Sequence, residues 1–132
     1  MWRRAALILT TCLALAVLGA FASHGSPPGP LPVITQPDDP TQPYFIVAID
    51  YHFHNAHPTI PLGVDRKVIF ESDALNLHNV TIPAIGYSKD LPVGDRIVIP
   101  HIGSLLGEPG RYTFYCSYHV DRGMAGVIVI AG

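Results

Sequence analysis

Three side chains that bind soft metal ions lie close together near the C-terminal end of this 132-residue chain: Cys116, His119 and Met124. They offer a thiolate, an imidazole and a thioether within one short loop. The other cysteine, Cys12, lies in an apolar N-terminal run, so Cys116 has no obvious disulfide partner. This donor set suits a redox-active copper ion, which needs ligands that accept both of its oxidation states. Zinc is a weaker interpretation because structural zinc sites use Cys and His and no thioether.

A trigonal copper site with a weak axial Met needs a second imidazole from another part of the chain. His78 is the best candidate because it lies at the start of a predicted strand. Strand alternation places Cys116 on the same face as Phe114, which should be the interior. Gly123 can let the following loop bend back so that Met124 faces the metal, after which the chain resumes as a strand. The sequence therefore predicts a four-ligand site at the ends of neighbouring strands.

A second group of histidines precedes this site in the sequence. His52 and His54 flank Phe53, and His57 follows shortly after. If Phe53 is a core residue, then His52 and His54 point outward, because successive strand residues face opposite sides of a sheet. The three imidazoles could hold a surface metal ion, although solvated surface histidines are the simpler interpretation.

The N-terminal residues 1–22 have the pattern of a targeting segment. Arg3 and Arg4 precede an apolar run over residues 5–22, and residues 20–22 match the small-x-small rule for signal cleavage. The alternative is a retained membrane anchor, whose helix would reach roughly 27 Å against a hydrocarbon core of ~30 Å. Either interpretation places the rest of the chain outside the cytoplasm, in the periplasm or on the outer face of the cytoplasmic membrane.

Residues 23–43 form a proline-rich linker. Its prolines lie at positions 27, 28, 30, 32, 37, 40 and 43. Such a segment cannot sustain a helix or a strand ladder, so an extended, partly polyproline conformation is expected. The linker could be a simple mature N-terminus or a stalk that holds the following domain away from a membrane.

Residues 44–132 are predicted to form one small all-β domain. Short apolar runs alternate with turn residues, and no long segment has the period of a helix. The predicted strands are 45–49, 67–70, 79–82, 96–99, 112–115 and 126–130. Many short strands at this spacing indicate a β-sandwich or barrel.

Charge gives little information about partners. Without Arg3 and Arg4, six Lys and Arg remain against ten Asp and Glu, a net charge of −4 with neutral His. The acidic residues are scattered, and the chain has no basic patch of the kind that binds nucleic acid.

The domain resembles the cupredoxin family. Its Cys-x₂-His-x₄-Met loop from Cys116 to Met124 is similar to that of plastocyanin and pseudoazurin, and the upstream segment 78–81 also fits the family pattern. The resemblance implies a Greek-key β-sandwich and a single type 1 copper ion in an electron-carrying protein. His78, Cys116 and His119 would be the strong ligands, and Met124 the axial ligand.

The resemblance implies further roles near these ligands. Asn79 and Ser117 match positions that tie the two ligand segments together. His119 would be the surface ligand through which electrons pass and near which redox protein partners dock. Tyr115 is a candidate for a second electron route, or else an ordinary strand aromatic. Tyr118 departs from the family pattern, since plastocyanin-type loops often carry Pro there.

Two other functions fit parts of the sequence. A copper-trafficking or storage domain would favour exposed Met- and His-rich tracts, but Met1 and Met124 are the only methionines. A copper-enzyme subunit would need an open coordination position or a second metal ion. An electron carrier that is not an enzyme is therefore the preferred interpretation, and a tether through residues 5–22 would place it at a membrane.

Overall fold

Short runs of β-branched and aromatic residues, separated by glycine and proline turns, form the strands of this protein. The computed structural model describes residues 39–132. The predicted signal or anchor segment 1–22 and most of the predicted linker 23–43 lie outside the described residues. The first strand begins at Tyr44. No helix within residues 39–132 has the length and apolar character needed to cross a bilayer.

The described part is a two-sheet β-sandwich with one short helix. Its strands are β1 Tyr44–Ile49, β2 His52–His54, β3 Thr59–Pro61, β4 Val68–Ser72, β5 His78–Ile82, β6 Tyr87–Leu91, β7 Arg96–Ile99, β8 Gly110–Tyr115 and β9 Ala125–Ala131. The helix α1 spans Ile102–Leu106, and single-turn 3-10 helices span Pro83–Ile85 and Val120–Arg122. The all-β Greek-key sandwich expected from the sequence is confirmed.

The strand order brings distant parts of the sequence side by side. One sheet has the order β2-β1-β4-β7, and the other has the order β3-β9-β8-β5-β6. Most neighbours are antiparallel, but β1 pairs with β4 and β3 pairs with β9 in parallel. Because β8 lies between β5 and β9 and is antiparallel to both, the start of β5, the end of β8 and the start of β9 meet at one end of the second sheet.

The core between the sheets is built from inward-facing apolar residues of both. Phe53, Phe70 and Phe114 contact one another edge to face, with ring centroids 5.1–6.0 Å apart. Such aromatic pairs add about 0.5–1.5 kcal/mol each beyond the area that they bury. Cys116 is fully buried and belongs to the same core cluster as Phe114, as strand alternation predicts.

The strands β3 and β6, the helix α1 and the two 3-10 helices were not predicted from the sequence. The strand β6 has the sequence YSKDL, three of whose residues are exposed, so it shows no apolar periodicity. It pairs with β5 over its full length at the edge of the second sheet. The helix α1 is five residues long, which is too short to display a helical period. Tertiary pairing, and not local pattern, defines the strands β3 and β6.

Candidate metal centre

The sheet topology brings together the chain segments that carry all four predicted ligands. His78 is the first residue of β5, Cys116 follows the last residue of β8, and Met124 precedes the first residue of β9. His119 lies in the loop between β8 and β9. Neighbouring strands of one hydrogen-bonded sheet therefore hold these positions, and the positions of His78 and Cys116 cannot change independently.

Three donor atoms converge at this end of the sheet. The Nδ1 atoms of His78 and His119 are 3.2 Å apart, and the Cys116 Sγ atom is 3.5 Å from His119 Nδ1 and 3.9 Å from His78 Nδ1. Within residues 39–132, no other three His, Cys, Asp or Glu side chains bring their donor atoms this close. A trigonal metal ion with bonds of about 2.0 Å to nitrogen and about 2.3 Å to sulfur would separate its ligand atoms by about 3.5–3.7 Å. The donor set thus fits one metal ion.

Backbone hydrogen bonds fix the loop that carries Cys116, His119 and Met124. The Cys116 N–H donates to the Met124 carbonyl at 3.0 Å, and the Met124 N–H donates to the His119 carbonyl at 3.3 Å. The His119 N–H in turn donates to the Cys116 carbonyl at 3.2 Å. Gly123 ends the 3-10 helix Val120–Arg122 with a φ of 82°, a left-handed conformation that glycine adopts without a steric penalty. The chain can therefore turn back into β9 directly after the loop.

Asn79 connects the two ligand-bearing segments from the side. Its side-chain oxygen accepts a hydrogen bond from the Ser117 N–H at 3.4 Å and another from the Thr81 hydroxyl at 2.5 Å. Its side-chain amide donates to Ser88 Oγ at 3.3 Å. Asn79 itself is buried, so its side-chain amide is shielded from bulk water, whereas its partner Ser117 is exposed. The contact between Asn79 and Ser117 is the one that the family resemblance implies.

Burial divides the four predicted ligands into two groups. His78, Cys116 and Met124 have no exposed surface, whereas His119 is half-buried. Burial lowers the pKa of the His78 imidazole, a positive charge on the nearby His119 lowers it further, and Asp50 acts in the opposite direction. The neutral imidazole favoured by this shift has the free lone pair that a metal ion needs. Cys116 is a free thiol among the described residues.

Aromatic rings surround the exposed side of His119. The Tyr51 ring contacts the His119 ring edge to face at 5.1 Å between centroids, and the Tyr118 ring lies 6.5 Å away. The Tyr118 hydroxyl donates to the Asp90 carboxylate at 2.6 Å, which links the loop to β6. Tyr115, the proposed second route, is half-buried at the end of β8. The sequence analysis missed Tyr51, since no residue pattern shows which ring packs against a distant histidine.

The second group of histidines does not form a comparable site. Phe53 is buried, His52 is exposed and His54 is half-exposed, as predicted from strand alternation. His57 is also exposed. These three are absent from the clusters of three possible donors found within the described part of the chain.

Comparison with solved structures identifies the fold. Auracyanin from Roseiflexus castenholzii, in a dithionite-reduced crystal, matches with a TM-score of 0.58 and 20% identity, over 70% of this chain and 98% of auracyanin. A purple cupredoxin from Nitrosopumilus maritimus matches at 0.51 and 20% identity, over 66% of this chain and 98% of its own. A reduced amicyanin variant matches with a TM-score of 0.51 and 14% identity, over 65% of this chain and 79% of the amicyanin chain. The chain therefore has the cupredoxin fold.

Sequence comparisons add no closer assignment. No protein-family model matches the chain, and no curated protein matches it significantly. The fold assignment thus rests on the sandwich itself, and any functional assignment rests on the site.

Proposed function

We propose that this protein binds one type 1 copper ion and carries single electrons between redox partners. His78, Cys116 and His119 would be the strong ligands and Met124 the axial ligand. The observation that carries the proposal is the convergence of one thiol sulfur and two imidazole nitrogens within 3.9 Å. Such a His₂Cys set with a weak axial thioether is the ligand pattern of blue-copper electron-transfer sites.

The residues around the site support one-electron chemistry. Bound copper supplies the one-electron redox couple. The Cys116 sulfur provides a soft donor, and its complete burial keeps water away from it. The hydrogen bond that Asn79 accepts from the Ser117 N–H and the backbone bonds within the β8–β9 loop fix the donor positions, so little protein rearrangement accompanies a change of charge. A rigid, dry donor set of this kind favours fast electron transfer over substrate binding.

The partners would dock near His119. This imidazole is the half-buried member of the four, and the exposed residues Tyr118 and Val120 flank it. An apolar surface around a ligand edge lets a partner approach closely without a strong charge match. Tyr115 remains a candidate for a second route.

We also propose that the domain works outside the cytoplasm. Support comes from the signal-like or anchor-like residues 1–22 and the proline-rich residues 23–43. If residues 5–22 are kept as an anchor, the linker would let the copper domain reach partners near a membrane surface.

A redox-cycling experiment tests the carrier function. The copper-loaded protein is reduced with ascorbate and reoxidised with ferricyanide in a stopped-flow instrument, with oxygen uptake and copper loss to a chelator followed in parallel. Fast, repeatable cycling with retained copper and no oxygen uptake is expected. Copper that passes readily to the chelator would favour trafficking or storage, and oxygen consumption would favour a copper-enzyme subunit.

A matched pair of histidine variants shows whether the cycling comes from this site. The His119→Ala variant should lose fast cycling, whereas the His54→Ala variant should keep it. Equal cycling in both variants would contradict the proposed route through His119.

A further inference from the structure

Tyr51 lies in the two-residue turn between β1 and β2, directly beside the proposed metal site. Its ring meets the His119 ring at an interplanar angle of 78° and a centroid distance of 5.1 Å. The guanidinium of Arg122 lies over the face of the same Tyr51 ring, 4.2 Å from the ring centroid. The Tyr51 ring is thus in contact with both a predicted ligand and a cation.

Arg122 belongs to the same loop as His119. The Arg122 N–H donates to the His119 carbonyl at 3.0 Å within the single 3-10 turn Val120–Arg122. Cation–π contacts with the face of a tyrosine ring are attractive, and arginine makes them more often than lysine. The ligand loop therefore contacts Tyr51 through two side chains, so that a movement of Tyr51 away from the loop breaks both contacts.

The backbone of this turn adopts a conformation that tyrosine does not favour. Tyr51 has a φ of 68°, in the left-handed region where a bulky side chain is an outlier. The preceding residue, Asp50, anchors the turn, because its carboxylate accepts hydrogen bonds from the Leu75 N–H at 3.1 Å and the Asn76 side-chain amide at 3.0 Å. Residues 75 and 76 lead into His78. One turn thus contacts both segments that carry the predicted histidine ligands.

Access to the donor atoms runs past this turn. His78, Cys116 and Met124 have no exposed surface, and His119 alone among the four reaches the protein surface. An ion that arrives from solvent must therefore displace the His119 ring or pass along its edge. The Tyr51 ring packs against that imidazole, so His119 cannot swing toward Tyr51 while the contact is intact.

We propose that Tyr51, backed by Arg122, is a positioning residue that holds the His119 imidazole over the buried donors and limits the rates of metal entry and release. The inference rests on the proposed function, because it takes His119 as a ligand of a transition-metal ion. It assigns to the Asp50–Tyr51 turn a role in the retention of the metal, separate from electron transfer.

The test measures copper uptake and release in variants of the full chain. Stopped-flow mixing of the metal-free protein with Cu(II) gives the uptake rate, and transfer to an excess of chelator gives the release rate. Tyr51→Ala should accelerate both rates roughly 2- to 12-fold, the factor expected for the loss of one aromatic pair. Arg122→Gln should accelerate both about 2- to 5-fold, as expected for the loss of an exposed cation–π contact.

Two further variants are controls. Tyr51→Phe keeps the ring and should remain within about 2-fold of the unmodified protein, since the ring and not the hydroxyl makes both contacts. Tyr44→Ala removes a second tyrosine that lies under an arginine, Arg66, at 5.1 Å. Because Tyr44 starts β1 whereas Tyr51 follows its end, this variant should leave both rates unchanged.

A second measurement is independent of copper. NMR relaxation of the His119 ring in the metal-free protein should show larger motion in Tyr51→Ala than in Tyr51→Phe. If Tyr51→Ala does not fold, Arg122→Gln and Tyr51→Leu provide the same comparison.

The outcomes separate the two proposals. If Tyr51→Ala takes up copper no faster than the unmodified protein, whether or not it releases copper faster, the proposal that Tyr51 limits metal entry is overturned. An unmodified protein that binds no copper would refute the proposed function, while the ring relaxation would still decide whether Tyr51 positions His119.

Discussion

Asn79→Ala is the substitution that tests how the two ligand-bearing segments are held together. The Asn79 side chain bonds Ser117 in one segment and Thr81 and Ser88 beside the other. Alanine removes all three contacts and adds none. The variant should therefore be less stable than the parent protein even without metal, and its ligand segments should be less firmly fixed.

The size of the effect follows from what remains after the substitution. The Thr81 hydroxyl keeps a partner, because Ser88 Oγ lies 3.0 Å away. Ser117 is exposed, so its N–H can bond to water once the Asn79 oxygen is gone. Three hydrogen bonds of modest net value are lost, and the Thr81 hydroxyl and the Ser117 N–H find other partners, so the free energy of unfolding should decrease by about 1–3 kcal/mol. For a domain of this size, that corresponds to roughly 5–20 °C in the melting temperature.

Thermal unfolding of the metal-free protein, followed by circular dichroism, measures the change. Thr81→Val is the control, because it removes the Thr81 hydroxyl with its hydrogen bonds to Asn79 and Ser88 and leaves the contact between Asn79 and Ser117 intact. It should lower the melting temperature by less than Asn79→Ala does. An Asn79→Ala protein that melts no lower than Thr81→Val would refute the claim that Asn79 ties the segments together.

Three further predictions concern the axial ligand, the core and pH. Met124→Leu should retain copper with a raised reduction potential in voltammetry, since the loss of the axial donor disfavours Cu(II), and an unchanged potential would show that Met124 does not approach the metal. Gly126→Ala should lower the free energy of unfolding by about 1–3 kcal/mol in chemical denaturation, because a Cβ would overlap the Phe114 ring. Gly110→Ala, where a Cβ finds ordinary clearance, is its control, and equal losses would contradict the packing argument. The metal-free protein should lose stability as the pH falls through the ordinary histidine pKa of 6.5, because the lowered pKa of His78 makes the unfolded chain bind the proton first. Denaturation midpoints from about pH 8 to about pH 5 measure this loss, which His78→Gln should reduce, and an unreduced slope would refute the assignment to His78.

The strands that could be predicted from the sequence are those with a clear alternating pattern. The strand 96–99 was predicted with its observed bounds, and its residues alternate between exposed and buried. Strand alternation also correctly predicted that Cys116 shares the interior face with Phe114 and that His52 points outward beside the buried Phe53. Period-2 patterning is local, so it can be read without knowledge of the partner strands.

The polar edge strand and the side chains around the ligands depend on contacts between residues that are distant in the sequence, so no local pattern predicts them. The polar strand β6 exists because β5 offers it a pairing edge. The Tyr51 ring packs against His119 from the β1–β2 turn, far away in the sequence, and Tyr118 donates a hydrogen bond to Asp90 in β6. The four predicted ligands could be named from their types and spacing, but the side chains that surround them could be found only in the folded chain.

The visible absorption spectrum of the protein with an equimolar amount of Cu(II) tests the central claim most directly. A type 1 site predicts an intense blue band that ascorbate bleaches and ferricyanide restores, because the charge-transfer transition needs the Cys116 thiolate. The band should be absent from the Cys116→Ser variant. A pale or red species, no copper binding, or a Cys116→Ser protein that is still blue would contradict the account.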